Sequence, residues 1–304
     1  MTPVSEAVWQ TLKYGDLFQF PMTEVELRQY LIGHKISGQP IPSGPYRRVG
    51  EYYFLRGREE LLKTRRLRER YTGEKIARAV KLSHLLRVFP GVRLVGLTGS
   101  VAAGNAARRD DIDLLIVTAP GRVWLTRAII LMLFGLTGVK RPDRSETHYD
   151  NKFCFNLWLE DSRPGLTIKN QDLYTAYEIC LMKPLLGGET YRRFLRLNKW
   201  TERYLPNFST SYGAQHIQDS KLTQDIGHVA QYILELVVLG IFGWFLEPLA
   251  KYLSKRRISL KHARGYHTDV TVTDRQLMFH PASPRRKVLS KISGQPLDSQ
   301  TWYH

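Results

Sequence analysis

The chain has 304 residues, 43% hydrophobic and 24% charged, with a formal net charge of +17 and a pI of about 9.9. This is a globular composition with room for one large domain or two ordinary ones, and it excludes the disordered and fibrous classes. The basic excess points to a polyanionic partner: nucleic acid, nucleotide or an anionic membrane surface. It is uneven, since residues 1–90 hold 16 Lys and Arg against 9 Asp and Glu, residues 91–254 hold 19 against 16, and residues 255–304 hold 10 against 3. The start of the chain lacks the basic and apolar pattern of a signal peptide. The two most apolar stretches, 128–139 and 236–246, are shorter than the roughly 18 residues of a spanning helix. A cytoplasmic protein without a transmembrane segment is expected.

In chain order, residues 5–18 carry helical spacing at Val8, Leu12 and Leu17, and Pro21 breaks it. Thr23 with Glu26 three residues on is a capping box, and Val25, Leu27, Tyr30 and Leu31 continue as a short helix. Residues 33–45 are rich in Gly, Pro and Ser and read as loop, and 51–55 as a short strand. Two helices and a strand suggest a winged-helix-like segment over 1–57. Its recognition helix would fall on the loop, so DNA reading and a structural appendage both stay open. Residues 56–86 form a basic helix in which Arg65, Arg66, Arg68 and Arg70 cluster, either as a solvated face or as a phosphate-tracking surface.

A compact α/β pattern follows, giving a core over 58–165 with a small mixed sheet. Residues 92–97 are an apolar strand closed by Thr98-Gly99-Ser100, and 112–117 are a second strand. Pro120-Gly121 opens a long apolar helix, and 153–159 alternate as a third strand. From Gln171 the pattern reads as helical, with segments at 173–182, 190–197 and 223–253, the last kinked or interrupted by Pro248. The expected fold class is therefore α/β (α+β), with a mainly helical C-terminal domain over 166–304. The two cysteines, Cys154 and Cys180, lie in apolar periodic segments and read as buried free thiols.

The chemistry-bearing stretch is Gly99-Ser100 followed by Asp111-Ile112-Asp113. Residues two apart on a strand share a face, so Asp111 and Asp113 stand together while Ile112, Leu114 and Ile116 anchor the other side. Two adjacent carboxylates repel unless a cation lies between them, and rigid oxygen ligands suit Mg²⁺, with Mn²⁺ as a substitute. Gly99 allows a sharp turn and close backbone approach to phosphate, and the amides and hydroxyl around Ser100 can hold a triphosphate. Arg108 and Arg109 lie just before the acidic pair, and Arg109 is the candidate phosphate contact; Lys152 before the third strand has the same standing. His148, His216, His228 and His280 show no metal-ligand spacing, and no G-x-S-x-G elbow is present.

Gly99-Ser100 with Asp111-Ile112-Asp113 resembles the signature of the polymerase β-like nucleotidyltransferase superfamily. The longer runs TGSVAAGNAARRDDIDLLIVTAPGRVWLTR, KFCFNLWL and QDLYTAYEICLMKPL resemble a bacterial and archaeal branch described only as nucleotidyltransferase-domain proteins. The resemblance implies transfer of a nucleoside monophosphate from an NTP to a hydroxyl with release of pyrophosphate and two Mg²⁺ ions. It also implies a third carboxylate on the next core strand, helping to activate the attacking hydroxyl. Here that position is Asn156, which can serve neither as base nor as anionic ligand. Glu160 and Asp161, just past the strand, are the candidate substitutes, and Asp110 is expected to face away. The acceptor is left unnamed, with RNA or another nucleic acid among the candidates. Two other readings stay open. One is a catalytically degenerate nucleotide- or nucleic-acid-binding scaffold. The other is a membrane-surface protein docking through an apolar helix near 232–246 and Lys255-Arg256-Arg257.

Overall fold

The computed structural model describes residues 2–141, 150–166, 171–208, 243–263, 269–280 and 284–293. At the N-terminus, helix α1 (Pro3–Leu17) begins where Thr2 Oγ1 accepts from the Ser5 amide at 3.2 Å, with Pro3 pre-set for the first turn. Strand β1 (Met22–Thr23) leads into α2 (Glu24–Gln29). The capping box forms as expected: Thr23 Oγ1 accepts from the Glu26 amide at 3.3 Å, and Glu26 Oε2 accepts from the Thr23 amide at 2.8 Å. The expected strand at 51–55 is half of a hairpin, β2 (Tyr46–Val49) with β3 (Tyr52–Leu55), and β1 pairs β3 on its other edge. Residues 33–45 contain no helix. A hairpin thus stands where the expected segment would carry a wing, and no helix stands where its recognition helix would fall.

Helix α3 (Leu61–Leu86) divides its arginine cluster between two roles. Arg65 is buried, pairs with Glu26 and Glu69 at 2.8 Å each and lies over the Phe20 ring. Arg68 donates to the Phe18 carbonyl at 2.9 Å and to Asn105 Oδ1 at 3.1 Å. These two fasten the N-terminal unit to the core, while Arg66 and Arg70 are exposed.

The core then runs β4 (Val92–Thr98), α4 (Gly99–Ala102), β5 (Ile112–Thr118), α5 (Val123–Leu136) and β6 (Phe153–Glu160). It continues as α6 (Leu173–Leu181), β7 (Lys183–Leu186), α7 (Gly188–Leu197), α8 (Gly243–Ala263), β8 (Asp269–Val272), β9 (Gln276–His280) and α9 (Pro284–Ser293). The fold is mixed α/β. One sheet of six strands has the order β7-β4-β5-β6-β9-β8; β5 and β6 are parallel and every other pair is antiparallel.

The all-helical pattern beyond Gln171 is corrected by β7, β8 and β9. Strands of four or five residues are too short to establish a period of their own, and β7 and β9 are held in the sheet by β4 and β6, distant in sequence. β7 tolerates Pro184 because it is the sheet edge, where a missing N–H costs no ladder bond. The sheet thus spans the border expected at 165/166. Of the helix expected over 223–253, residues 223–242 lie outside the described residues. The described part, α8, contains Pro248 within the helix and continues to Ala263. Its Glu247 carboxylate accepts from the Trp124 and Leu125 amides at 2.9 Å each, capping α5 from outside. Among the described residues no helix is long and apolar enough to cross a membrane.

Strand alternation gives the sheet two apolar faces. Ile112, Leu114 and Ile116 join Trp124, Ile130 and Leu86 under α3 and α5. Leu115 and Val117 join Ile179, Tyr191 and Phe194 under α6 and α7. Truncating a fully buried Leu such as Leu114 on either face costs about 2–5 kcal/mol.

Candidate functional site

On β5 the residues that share a face with Leu115 and Val117 include Asp113, so its carboxylate stands on the α6 side of the sheet, as the alternation requires. Thr98 pairs with Asp113 across β4 and β5, which brings the next residue, Gly99, directly against it. Gly99 has φ +65°, and a Cβ there would lie 2.5 Å from Asp113 Oδ2. Glycine is required twice over, by the left-handed backbone and by the close approach.

Asp111 lies immediately before β5, and Arg141 Nη1 donates to its Oδ2 at 2.6 Å. On β6, Cys154 pairs with Asp113 in register. Ligand atoms of Asp111, Asp113 and Cys154 all lie within 4.8 Å of one another. The β5–β6 ladder then slips: Leu114 faces Phe155 but Leu115 faces Leu157, so Asn156 is the extra residue of a bulge. Its Nδ2 donates to Asp113 Oδ1 at 2.8 Å, and its Oδ1 is shielded from solvent without a hydrogen-bond partner among the described residues. The sequence expectation that Asn156 stands beside the acidic pair therefore agrees with the geometry.

These residues line a cavity of about 190 Å³ roofed by α6, whose Tyr174, Thr175 and Glu178 face it, with Arg285 of α9 at its edge. Glu178 is the only charged residue of α6 and accepts a hydrogen bond from the Gly99 amide. Sequence reasoning missed it. The available signal was a single carboxylate inside an otherwise uncharged, mostly buried helix.

The electrostatics follow from burial, to which neighbouring carboxylates add at Asp113 and Cys154. Burial first, then Asp111, then Glu178 push the Asp113 carboxyl well above the usual carboxylate range, against the pull of Arg141 and the Cys154 hydrogen bond. Burial lifts Glu178 to about 7, partly offset by the Gly99 amide. Burial, then Asp113 and Asp111, hold the Cys154 thiol well above its ordinary value.

The remaining candidates fall outside this centre. Ser100 Oγ donates to Asp110 Oδ2 at 2.7 Å, and the Ala107 amide donates to the same oxygen at 2.9 Å. Asp110 thus braces the Gly99-Ser100 turn, and the Ser100 hydroxyl proton is already committed. Arg109 is exposed in the turn before β5 and does not line the cavity; the arginines that do are Arg141 and Arg285. Glu160 and Asp161 do not reach the centre. Glu160 pairs with Thr118, five residues along β5 from Asp113 and about 17 Å away at strand rise. They are tied there to Arg275 and Arg193. Lys152 donates to the Gly138 carbonyl at the start of β6, outside the cavity. His148, His216 and His228 lie outside the described residues.

A second residue sequence reasoning passed over is Lys75 of α3. It is buried, and its ammonium donates to the carbonyls of Arg108 and Asp110 at 3.1 and 2.6 Å and to Asn151 Oδ1 at 3.1 Å. It fixes the loop that delivers Asp111. Burial holds its pKa below the ordinary lysine value, with Asp110, Asp150 and Asp111 pulling the other way. Compared with protein families, with characterised proteins and with solved structures, the chain finds no match.

Proposed function

We propose that the protein is a metal-dependent nucleotidyltransferase that moves a nucleoside monophosphate from an NTP to a hydroxyl acceptor. The observation that carries this reading is the convergence of Asp111, Asp113 and Glu178 on one cavity closed by the Gly99 turn. The adjacent strands β4, β5 and β6 with α4 and α5 between them agree with the small mixed sheet that the resemblance to polymerase β-like nucleotidyltransferases implies.

The donor set fits a divalent cation, since three ligand-bearing side chains meet within 4.8 Å, Asp113 and Cys154 on adjacent strands and Asp111 at the entry to β5. A bound Mg²⁺ or Mn²⁺ supplies Lewis-acid stabilisation of the phosphoryl oxygens. Asp111 and Asp113 would hold it. Gly99 keeps the backbone low enough for phosphate to approach, and Arg141 and Arg285 contribute positive charge at the cavity wall. Asn156 orients Asp113 through its amide and cannot take a proton. Glu178, held by the Gly99 amide and with a pKa near 7, is the carboxylate suited to accept the proton of the acceptor hydroxyl.

The test is a transfer assay with Mg²⁺ or Mn²⁺, four labelled NTPs and a pooled RNA acceptor, beside the Asp111→Asn, Asp113→Asn double variant. Incorporation that disappears in the variant supports the reading; incorporation that persists sinks it. A second reading, a non-catalytic nucleotide- or nucleic-acid-binding scaffold, draws on the engagement of both aspartates within the protein, Asp111 by Arg141 and Asp113 by Asn156. It predicts polyanion binding that falls steeply with salt and needs neither aspartate.

A further inference from the structure

We infer that Cys154 is a ligand in this metal centre and that the centre takes a borderline-soft divalent cation of the zinc kind in preference to Mg²⁺. The inference rests on Asp111 and Asp113 holding a cation, and not on nucleotidyl transfer.

The two cysteines of the chain show the contrast that leads here. Cys180 is 3% exposed and packs among Tyr14, Leu173, Tyr177 and Leu205, as a structural thiol does. Cys154 belongs to none of the apolar clusters. It lines the polar cavity, shares a face of the sheet with Asp113, and hydrogen-bonds that carboxylate. Its sulfur comes within 4.8 Å of a carboxylate oxygen on each of Asp111 and Asp113.

A separate observation points to a missing partner at the same place. Among the described residues Asn156 Oδ1 is shielded from solvent and accepts no hydrogen bond, although its Nδ2 is fixed on Asp113 Oδ1 at 2.8 Å. Shielded amide oxygens are ordinarily satisfied. A cation held beside Asp113 would offer this oxygen a partner, since the Asn156 amide already contacts that carboxylate and lines the same cavity. The donor set that the geometry brings together is two carboxylates and one thiol, with the amide of Asn156 beside them.

Two consequences follow from general coordination chemistry. Thiolate is a poor ligand for Mg²⁺ and a good one for Zn²⁺, so affinity should climb from Mg²⁺ through Mn²⁺ and Co²⁺ to Zn²⁺. The thiol gives up its proton as the metal binds. The three anionic ligands then face one dication and the Arg141 guanidinium paired with Asp111.

The experiment titrates the full-length protein with Cd²⁺, Co²⁺, Zn²⁺ and Mg²⁺, reading affinity by calorimetry and thiolate-to-metal charge transfer by ultraviolet absorption. The wild-type protein should show the charge-transfer band with Cd²⁺ and Co²⁺, and Cys180→Ala should keep it. Cys154→Ser and Asp113→Asn should lose it. Cys154→Ser should weaken Zn²⁺ by at least about tenfold, or 1.4 kcal/mol, and weaken Mg²⁺ by less than that. Cys154→Asp should turn the preference toward Mg²⁺. Cd²⁺ binding by the wild-type protein that Asp113→Asn abolishes, but with no band, would overturn the thiolate ligand and leave the carboxylate site intact. A band that survives in Cys154→Ser would overturn it as well. Absence of any metal binding that depends on the aspartates would remove this inference together with the metal-dependent reading above.

Discussion

The two ends of strands β5 and β6 are both acidic, and they differ in how the acid is balanced. At the far end Glu160 and Asp161 face Arg275 and Arg193, one cation for each carboxylate. At the near end Asp111, Asp113 and Glu178 line a cavity in which Arg141 pairs with Asp111. Partnered carboxylates at a sheet margin are ordinary structure. Here burial raises Glu178, and burial together with Asp111 and Glu178 raises Asp113, the pattern of a candidate site and not of a balanced sheet margin. Carboxylate count therefore does not separate the two ends; local charge balance does.

The largest expected effect breaks the near end alone. Asp113→Asn should abolish metal-dependent transfer, a loss on the order of 10³-fold given the several kcal/mol a catalytic cation supplies. The same change should leave the metal-free protein at least as stable, because it removes a buried like-charge interaction. Steady-state kinetics beside a thermal melt reads both. A melting point that falls by many degrees would mean that Asp113 is a structural anion.

Glu178→Gln should reduce kcat by about 10²- to 10⁴-fold if the carboxylate accepts the proton of the acceptor. It also carries a pH signature. Glu178 is raised to about 7 from an ordinary value of 4.5, so the folded protein binds its proton more tightly than the unfolded chain does. Its contribution to stability is fully present below 4.5 and is lost as pH rises to about 7, at up to about 1.4 kcal/mol per pH unit for one proton. Asp113, shifted in the same direction, adds to that slope. Melts of the metal-free protein between these pH values should show stability falling, with a shallower fall in Glu178→Gln. An identical slope in the variant would remove Glu178 from the account.

Gly99→Ala is expected to cost about 1–3 kcal/mol from the left-handed backbone. The new Cβ, 2.5 Å from Asp113 Oδ2, should also displace that carboxylate and weaken metal binding. Denaturant unfolding and metal titration separate the two effects. The smallest effect belongs to the far end: Asp161→Asn should change stability by under about 1 kcal/mol and leave transfer untouched, since Arg193 is partly solvated. A large loss of transfer there would dissolve the distinction between the two ends.

Much of this was open to reading along the chain. The Thr23–Glu26 capping box, the strands β4, β5 and β6, the turn at Gly99 and the shared face of Asp111 and Asp113 all depend on residues a few positions apart. Local rules of capping, alternation and turn chemistry reach that far. Arg65 shows where they stop. On α3 it looks like one more solvated cation in a basic run, yet it is buried between Glu26 and Phe20 of the N-terminal unit. Lys75, equally basic in sequence, disappears beneath the loop that carries Asp110.

Period, capping and turn geometry were enough to locate two aspartates at the start of one strand and a glycine beside them, because covalent spacing along the chain dictates which side chains point together. The third carboxylate, the thiol and the charge balance came from chain folding. Glu178 arrives on a helix 65 positions beyond Asp113, Cys154 arrives through the parallel pairing of β5 with β6, and Glu160 is removed to the other end by the same pairing. Strand register and helix docking are set by burial of both faces of the sheet, a property of the whole chain that no local pattern contains.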